Sequence, residues 1–359
     1  LKTFAAPTVN QRYDKVRPHS SEKVMTPAVL ICDDSNLARK QLAKILPQDW
    51  QKTVQFAGHG ADALTSLKKQ PFDWLFLDLN MPVMDGYQVL AELKKLQLPV
   101  QIVVVSGDIQ PEAHQRVMAL GAKAFLKKPV EPQALAALLQ TAVATAPRTQ
   151  QGQAHLVQVT ELDPELRDVF QEVANVAMGQ AGDLLARLLK VFVKLPIPNV
   201  NLIEVSELHM ALASVEQESS TSAVCQGFIG GGVSGEALLI LNDSSFKDIA
   251  RLMNYHGALT VKVELELLMD IANILIGAVL KGLAEQIDMS FSQGHPVVLG
   301  QHAPVSELIR ANAKRWRKTL AIEVSYGIEN YNISCDLLLL FTEDSLKTLN
   351  YKVAFLLEE

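Results

Sequence analysis

From Ala28 onward the chain switches five times between a short apolar, β-branched run and a longer amphipathic stretch, and few architectures accept that rhythm. The runs cover residues 28–32, 53–57, 74–78, 101–106 and 124–126, and the stretches that follow cover 35–46, 60–69, 86–96, 111–120 and 133–142. Strands alternating with helices build α/β units. Residues 26–143 are therefore expected to form a doubly wound, five-stranded parallel sheet with helices on both faces. In such a sheet the chemistry collects at the carboxyl ends of the strands.

The 359 residues exceed what one such domain needs. Residues 1–25 form a polar extension without the apolar core of a signal peptide, and residues 144–158 lose apolar periodicity and read as a linker. A second α/β domain is expected over 159–359, pseudo-symmetric and built from two halves at about 159–258 and 259–359, because features recur in register. Glu172-Val-Ala-Asn175 is matched by Asp270-Ile-Ala-Asn273, and Pro198 by Pro296. The apolar run 238–241 with Ser245-Phe-Lys247 is matched by 337–340 with Ser345-Leu-Lys347. The flanking runs 227–241 and 321–341 predict a largely antiparallel sheet with helices on one face.

Charge and cysteine usage narrow the function classes. With 39 acidic against 33 basic residues the formal charge is −6, which leaves no cationic field for a nucleic acid. The longest apolar candidates, 271–280 and 337–341, are shorter than the ~18 residues of a membrane span. Cys32, Cys225 and Cys335 stand far apart with neither zinc-site spacing nor a disulfide framework, and read as core thiols of a reducing cytoplasm. Neither nucleic acid nor a membrane is expected as a partner.

The first run ends in Cys32-Asp33-Asp34 and the third in Leu77-Asp78-Leu79-Asn80. A doubly wound topology sets those two ends side by side, gathering three carboxylates on one rim. Such a cluster repels itself unless a cation joins it, and an all-oxygen set with open positions suits Mg²⁺. The fourth run ends at Ser106, a hydroxyl donor, and the fifth leads into Lys127-Lys128-Pro129, a fixed positive charge. Together they supply what is needed to form and hold a phosphoryl group on an aspartate. On these motifs residues 28 to about 143 resemble a response-regulator receiver domain of the CheY type. The resemblance implies Asp78 as phosphoacceptor and Asp33, Asp34, Asp78 and the Asn80 carbonyl as Mg²⁺ ligands. It also implies Ser106 as switch hydroxyl, Lys128 as phosphate contact, a cis Lys128–Pro129 peptide, and Phe125 as the switch aromatic, favouring its inward position.

In the second domain Asp168, Glu172 and Asn175 fall within ~60° of one another on a helical projection, so they share one face. Glu266, Asp270 and Asn273 repeat that spacing, while Val169, Val173, Val176 and Ala177 turn toward a core. A solvated polar face would explain either set alone; the repetition points to two sites. The pattern Asp168-x3-Glu172-x2-Asn175-x22-Pro198 matches the signature of the CheC, CheX and FliY phosphatases, and the resemblance covers roughly residues 160–355. In that family the glutamate pairs with the receiver's lysine and the asparagine orients a water for attack on the phosphoryl-aspartate. The second copy departs from the pattern at Glu266 and at Asp270, one methylene shorter than a glutamate, so Glu172 with Asn175 is expected to be the active pair. Asp168, Pro198, Glu266 and Pro296 are supporting positions.

Weaker candidates are read structurally. Gly230-Gly231-Gly232 with Gly235 lacks the Lys and Ser of a P-loop and reads as a turn or bulge. Trp316 between Arg315 and Arg317 reads as a solvated face. The expectation is a two-component signalling protein: a histidine kinase phosphorylates Asp78, and the receiver controls a phosphatase for phospho-aspartate on a separate CheY-like response regulator. Alternatives are action on the chain's own Asp78, in cis or across a homodimer, and a non-catalytic adaptor that binds phosphorylated receivers.

Overall fold

The computed structural model describes residues 26–140, 163–204, 220–303 and 318–358. The extension 1–25, the linker 144–158 and the Trp316 spot lie outside the described residues. Strands β1 (Val29–Cys32), β2 (Val54–Ala57), β3 (Trp74–Leu77), β4 (Gln101–Ser106) and β5 (Ala124–Lys127) pair in parallel in the order β2-β1-β3-β4-β5. Between and after them run α1 (Asn36–Ile45), α2 (Gly60–Lys69), α3 (Gly86–Leu96), α4 (Pro111–Ala119) and α5 (Pro132–Gln140). Alternate strand residues feed two cores. Leu30, Leu75, Leu77 and Val104 pack with Leu64, Leu90 and Leu93 of α2 and α3. Ile31, Phe76, Val103 and Val105 pack with Leu42 and Leu135 of α1 and α5. Burial on both faces is why these strands read as unbroken apolar runs.

Local chemistry fixes the rim of this sheet. Ser35 caps α1 by accepting from the Ala38 N–H, and Asp85 with Gln88 forms a capping box on α3. The Asp85-Gly86 pair thus starts a helix. Its glycine is required by close approach, since a Cβ on Gly86 would lie 2.2 Å from the Asp78 carbonyl oxygen.

The C-terminal part begins with a 26-residue helix, α6 (Pro164–Leu189), followed by β6 (Val193–Lys194), β7 (Asn199–Glu204), β8 (Thr221–Gly230), β9 (Val233–Asn242) and the short helix α7 (Phe246–Leu252). A second 26-residue helix, α8 (Val261–Gln286), leads into β10 (Ser292–Gln293), β11 (Val297–Ala303), β12 (Lys318–Ile328), β13 (Ser334–Phe341) and α9 (Leu346–Glu358). All recorded pairings in this sheet are antiparallel, with β9 against β13 at its centre. β8 pairs with β10 and β11, and β12 with β6 and β7, so each long strand borders short strands from the other half. The turn at Gly231 and Gly232, with φ of 57° and 82°, joins β8 to β9 in a two-residue hairpin, as the reading of these glycines predicts.

Helices α6 and α8 lie against one sheet face, burying Phe170, Leu185, Leu275 and Val279 on Leu239, Leu337, Phe341 and Tyr326. They meet where a Cβ on Gly282 would come within 3.0 Å of the Ala177 Cα. Helix α8 is long and apolar enough by composition to cross a membrane, with a mean hydropathy of 1.8, but 67% of that window is buried inside the protein. Its apolarity serves the core. The opposite face is also covered: Leu238, Ile240, Leu338 and Leu340 are buried outside the helix-side cluster.

His302 in β11 ties two elements together. Its Nδ1 lies 2.8 Å from Asp243 Oδ2 and its Nε2 3.1 Å from Glu264 Oε2 on α8. The hydrogen bond to Asp243 raises the imidazole pKa above its ordinary value of 6.5, and Glu264 adds to this. A raised folded-state pKa contributes stability that is complete below the unfolded value and fades as pH climbs through the raised one. The melting temperature of the wild type is therefore expected to fall from about pH 6 to 8 more steeply than that of His302→Gln. Parallel melting profiles would contradict the assignment.

Candidate functional site

The strand order puts β1 beside β3 and β4 beside β5, so the predicted rim residues converge. Lys128 Nζ lies 2.8 Å from Asp33 Oδ2 and 3.3 Å from Asp78 Oδ1, and all three side chains are buried. Asp78 Oδ2 accepts from the Asn80 backbone N–H at 2.9 Å, and Asp33 Oδ1 accepts from the Ser35 N–H at 2.9 Å. Ser106 is fully buried at the end of β4, its Oγ accepting from the Asp108 N–H at 3.1 Å. The Lys128–Pro129 peptide is cis. Phe125 is half-buried against the core and meets His114 edge-on at 5.6 Å.

Carboxylate oxygens of Asp33, Asp34 and Asp78 all lie within 4.8 Å of one another, and Asp78 Oδ1 is buried with no hydrogen bond. A hard divalent cation fits this donor set, because it would join three like charges and engage Asp78 Oδ1, which faces Lys128 at 3.3 Å but accepts no hydrogen bond. Electrostatics agree. Burial, reinforced by Asp33, pushes Asp34 up to about 6, and burial pushes Asp78 well above the carboxylate range against the pull of Lys128. Burial alone would lower Lys128, but Asp33, Asp78 and Glu172 outweigh it and hold the ammonium charged.

The second set of predicted residues arrives at the same place. Helix α6 crosses the receiver rim, and its polar face is covered by protein. Glu172 Oε1 lies 3.1 Å from Lys128 Nζ, and burial pushes this carboxyl up to about 7 against the attraction of Lys128. Asn175 Oδ1 accepts from Asn80 Nδ2 at 3.5 Å. Asp168 accepts from the N–H groups of Asn36 at 3.2 Å and Leu37 at 2.8 Å, so a carboxylate from one domain caps a helix of the other. Two successive turns of α6 therefore place its whole triplet on the receiver. Pro198 is buried immediately before β7.

The copy on α8 has no such cover. Glu266, Asp270 and Asn273 are exposed, and Pro296, before β11, is half-buried. A Cβ on Gly179 of α6 would sit 2.0 Å from the Gly107 carbonyl oxygen, whereas one on Gly277, at the matching place on α8, meets nothing nearer than Gln293 Oε1 at 4.0 Å.

Several contacts were not legible in the residue pattern. Gln171 Nε2 donates to Asp34 Oδ2 at 3.4 Å. Leu37 of α1 is buried in the C-terminal core, and Gln110 and Arg116 reach across from α4 and its N-terminus. Val176, buried as its spacing predicts, backs onto Gly107 of the receiver: a Cβ on Gly107 would lie 3.2 Å from the Val176 Cα. A glycine at 179, inside an apolar helix where alanine is better, was the legible sign of a close approach. Beside the Lys128–Glu172 pair, an interdomain cleft of about 810 Å³ opens, lined in part by Lys44, Lys127, Glu131, Gln180 and Leu356.

Comparison with known proteins bears on a third to a half of the chain. The family model for the response regulator receiver domain matches residues 29–140. The sensory/regulatory protein RpfC of Xanthomonas campestris is 31% identical over 166 residues, 44% of this chain and 22% of RpfC. A protein-glutamate methylesterase/protein-glutamine glutaminase of Symbiobacterium thermophilum is 33% identical over 183 residues, 47% of this chain and 49% of that protein. The chain thus spans about a fifth to a half of the length of these curated relatives. Chemotaxis protein CheY4 of Vibrio cholerae, a solved structure, is 31% identical and matches 33% of this chain and 100% of its own, with a TM-score of 0.31. Residues 29–140 of this chain are a response regulator receiver domain, a module of two-component signalling.

Proposed function

We propose that the chain is a self-dephosphorylating response regulator, in which a C-terminal domain of the CheC, CheX and FliY type hydrolyses the acyl phosphate formed on the chain's own Asp78. The observation that carries this reading is the seat of α6: Glu172 is paired with Lys128 and Asn175 reaches Asn80, two residues from Asp78. A histidine kinase is the phosphodonor. The matching long helices and strand order of the two C-terminal halves support the pseudo-symmetric architecture expected of that family.

The chemistry follows from the positions. The neutral Asn175 carboxamide holds a water in line with the phosphorus without adding negative charge, and Glu172, tied to Lys128, fixes the helix in register. Water oxygen bonds to phosphorus as the bond from phosphorus to Asp78 breaks, and that electron pair returns to the Asp78 carboxylate. Of the water's two protons, one stays on the attacking oxygen and the other passes to a phosphoryl oxygen, so both leave with inorganic phosphate. Lys128 offsets charge on the phosphoryl oxygens. Mg²⁺ held by Asp33, Asp34 and Asp78, with the Asn80 carbonyl, would supply further neutralisation of those oxygens. The cleft beside Lys128 and Glu172 suits water entry and phosphate exit.

One observation favours a second reading for the other face: the Asp270 and Asn273 surface of α8 is exposed, with open space beside Gly277. A separate CheY-like receiver would be handled there, more weakly because Asp270 is short. Phosphate release separates enzyme from adaptor. The full chain, phosphorylated and then freed of donor, is expected to release inorganic phosphate stoichiometrically; persistence of the acyl phosphate with α6 still docked would make α6 a binding element.

A further inference from the structure

We infer that Gln110 and Arg116, two receiver residues outside the phosphorylation rim, form a clamp that makes the α6 face selective for its own receiver and closes it to others. The inference rests on the proposed phosphatase reading and deepens it by naming what decides the substrate.

Gln110 is buried just before α4, and its side-chain amide mimics a strand neighbour. Its Nε2 donates to the Val193 carbonyl at 2.8 Å, and its Oε1 accepts from the Val193 N–H at 2.9 Å. Val193 lies in β6, whose pairing with β12 uses Gly327 and Ile328. Asp108 Oδ1 accepts from the Gln110 N–H at 3.0 Å, holding the amide in place. A receiver with an apolar residue here would leave a buried peptide group unpaired at both ends, which is a strong form of rejection.

Arg116 provides the second point. Its guanidinium carbon sits 4.0 Å from the centre of the Phe192 ring, Nη1 donates to Glu329 Oε1 at 3.4 Å, and Nη2 makes a shorter contact with Glu329 Oε2. Its own helix steadies it through Glu112, at 2.7 Å. The platform is pre-formed, because the Glu329 N–H donates to the Phe192 carbonyl at 3.2 Å. A receiver lacking a cation here would face Glu329 without a partner, and one with a carboxylate would be repelled. The α8 half has no equivalent acid: the turn after β8, which corresponds to the turn carrying Glu329 after β12, is Gly231-Gly232. The clamp therefore belongs to the α6 face, where the tethered receiver also enjoys a high effective concentration.

The test uses the full chain with Arg116→Glu, Glu329→Arg, the charge-swapped double variant and Gln110→Ala. Two lifetimes are read: that of phospho-Asp78, and that of a separately phosphorylated CheY-like receiver added in trans. Arg116→Glu is expected to lengthen the first about tenfold and shorten the second, as the α6 face opens. The swap should restore both, and adding Asn175→Ala to Arg116→Glu should abolish the trans gain. Hydrogen exchange at the Val193 amide reads docking independently of catalysis: protected in the wild type, exposed in Gln110→Ala. Unchanged lifetimes and unchanged exchange, or a swap that fails to restore, overturn the clamp. If Asn175→Ala leaves phospho-Asp78 decay untouched while exchange at Val193 still responds to Gln110→Ala, the clamp holds two domains together but selects no substrate, and the inference is wrong for that different reason.

Discussion

Asn175→Ala is expected to lengthen the lifetime of phospho-Asp78 in the full chain by about 100-fold, the scale of losing one positioned group at a reacting centre. The side chain is buried, and its oxygen is engaged with Asn80 beside the phosphoacceptor. Truncation leaves Glu172 on Lys128 and Asp168 on α1, so docking survives and only the water loses its holder. Asn175→Asp should be slow as well, since a carboxylate there joins Asp33, Asp34, Asp78 and Glu172 around a single ammonium and repels the phosphoryl group. The matched change on α8, Asn273→Ala, is expected to leave the decay of phospho-Asp78 unaltered, because that side chain is exposed and touches no receiver in this chain. Decay measured by loss of labelled acyl phosphate distinguishes the three variants. Equal lifetimes in wild type and Asn175→Ala would remove α6 from the chemistry.

Gly179→Ala is the second large effect, and it acts on docking. The new Cβ would lie 2.0 Å from the Gly107 carbonyl oxygen and 2.5 Å from its carbon, both backbone atoms that have no rotamer by which to yield. The helix must retreat by about 1 Å or more, enough to pull Asn175 out of line and break the Lys128–Glu172 contact. Phospho-Asp78 should then persist nearly as long as in Asn175→Ala, with the Val193 amide also exposed to exchange. Gly277→Ala provides the control: in open space it removes a helix-interior glycine, worth ~1 kcal/mol of added stability. A Gly179→Ala chain that stays docked and turns over normally would contradict the seat of α6.

The receiver was legible because its strands are short, β-branched and buried on both faces, a pattern with few competing solutions; β4 falls at residues 101–106 as read, and β1 and β2 begin one residue later. The triplet of Asp168, Glu172 and Asn175 was legible as one helix face because carboxylates and a carboxamide recur at helical spacing in both halves. What covers that face was not. Asp168 finds backbone N–H groups of α1, and Gln110 finds a backbone strand edge, and such partners leave no mark in a residue pattern. Val176 is buried as its spacing predicts, but its receiver neighbour Gly107 left no mark either: an apolar residue has the same signature whether it meets its own core or a neighbouring domain. Arg116 reads as an ordinary surface cation until Phe192 and Glu329 are brought beneath it by the fold.

The central claim is that hydrolysis occurs within one chain, and a mixing experiment tests it most directly. Phosphorylated Asn175→Ala chain is combined with rising amounts of unphosphorylated wild type, and its acyl phosphate is followed over time. The account predicts that it persists at every ratio, because the variant's receiver stays seated on its own inactive α6, while phosphorylated wild type alone decays at a rate independent of dilution. Clearance of the variant's phosphate at a rate that rises with wild-type concentration would contradict action in cis.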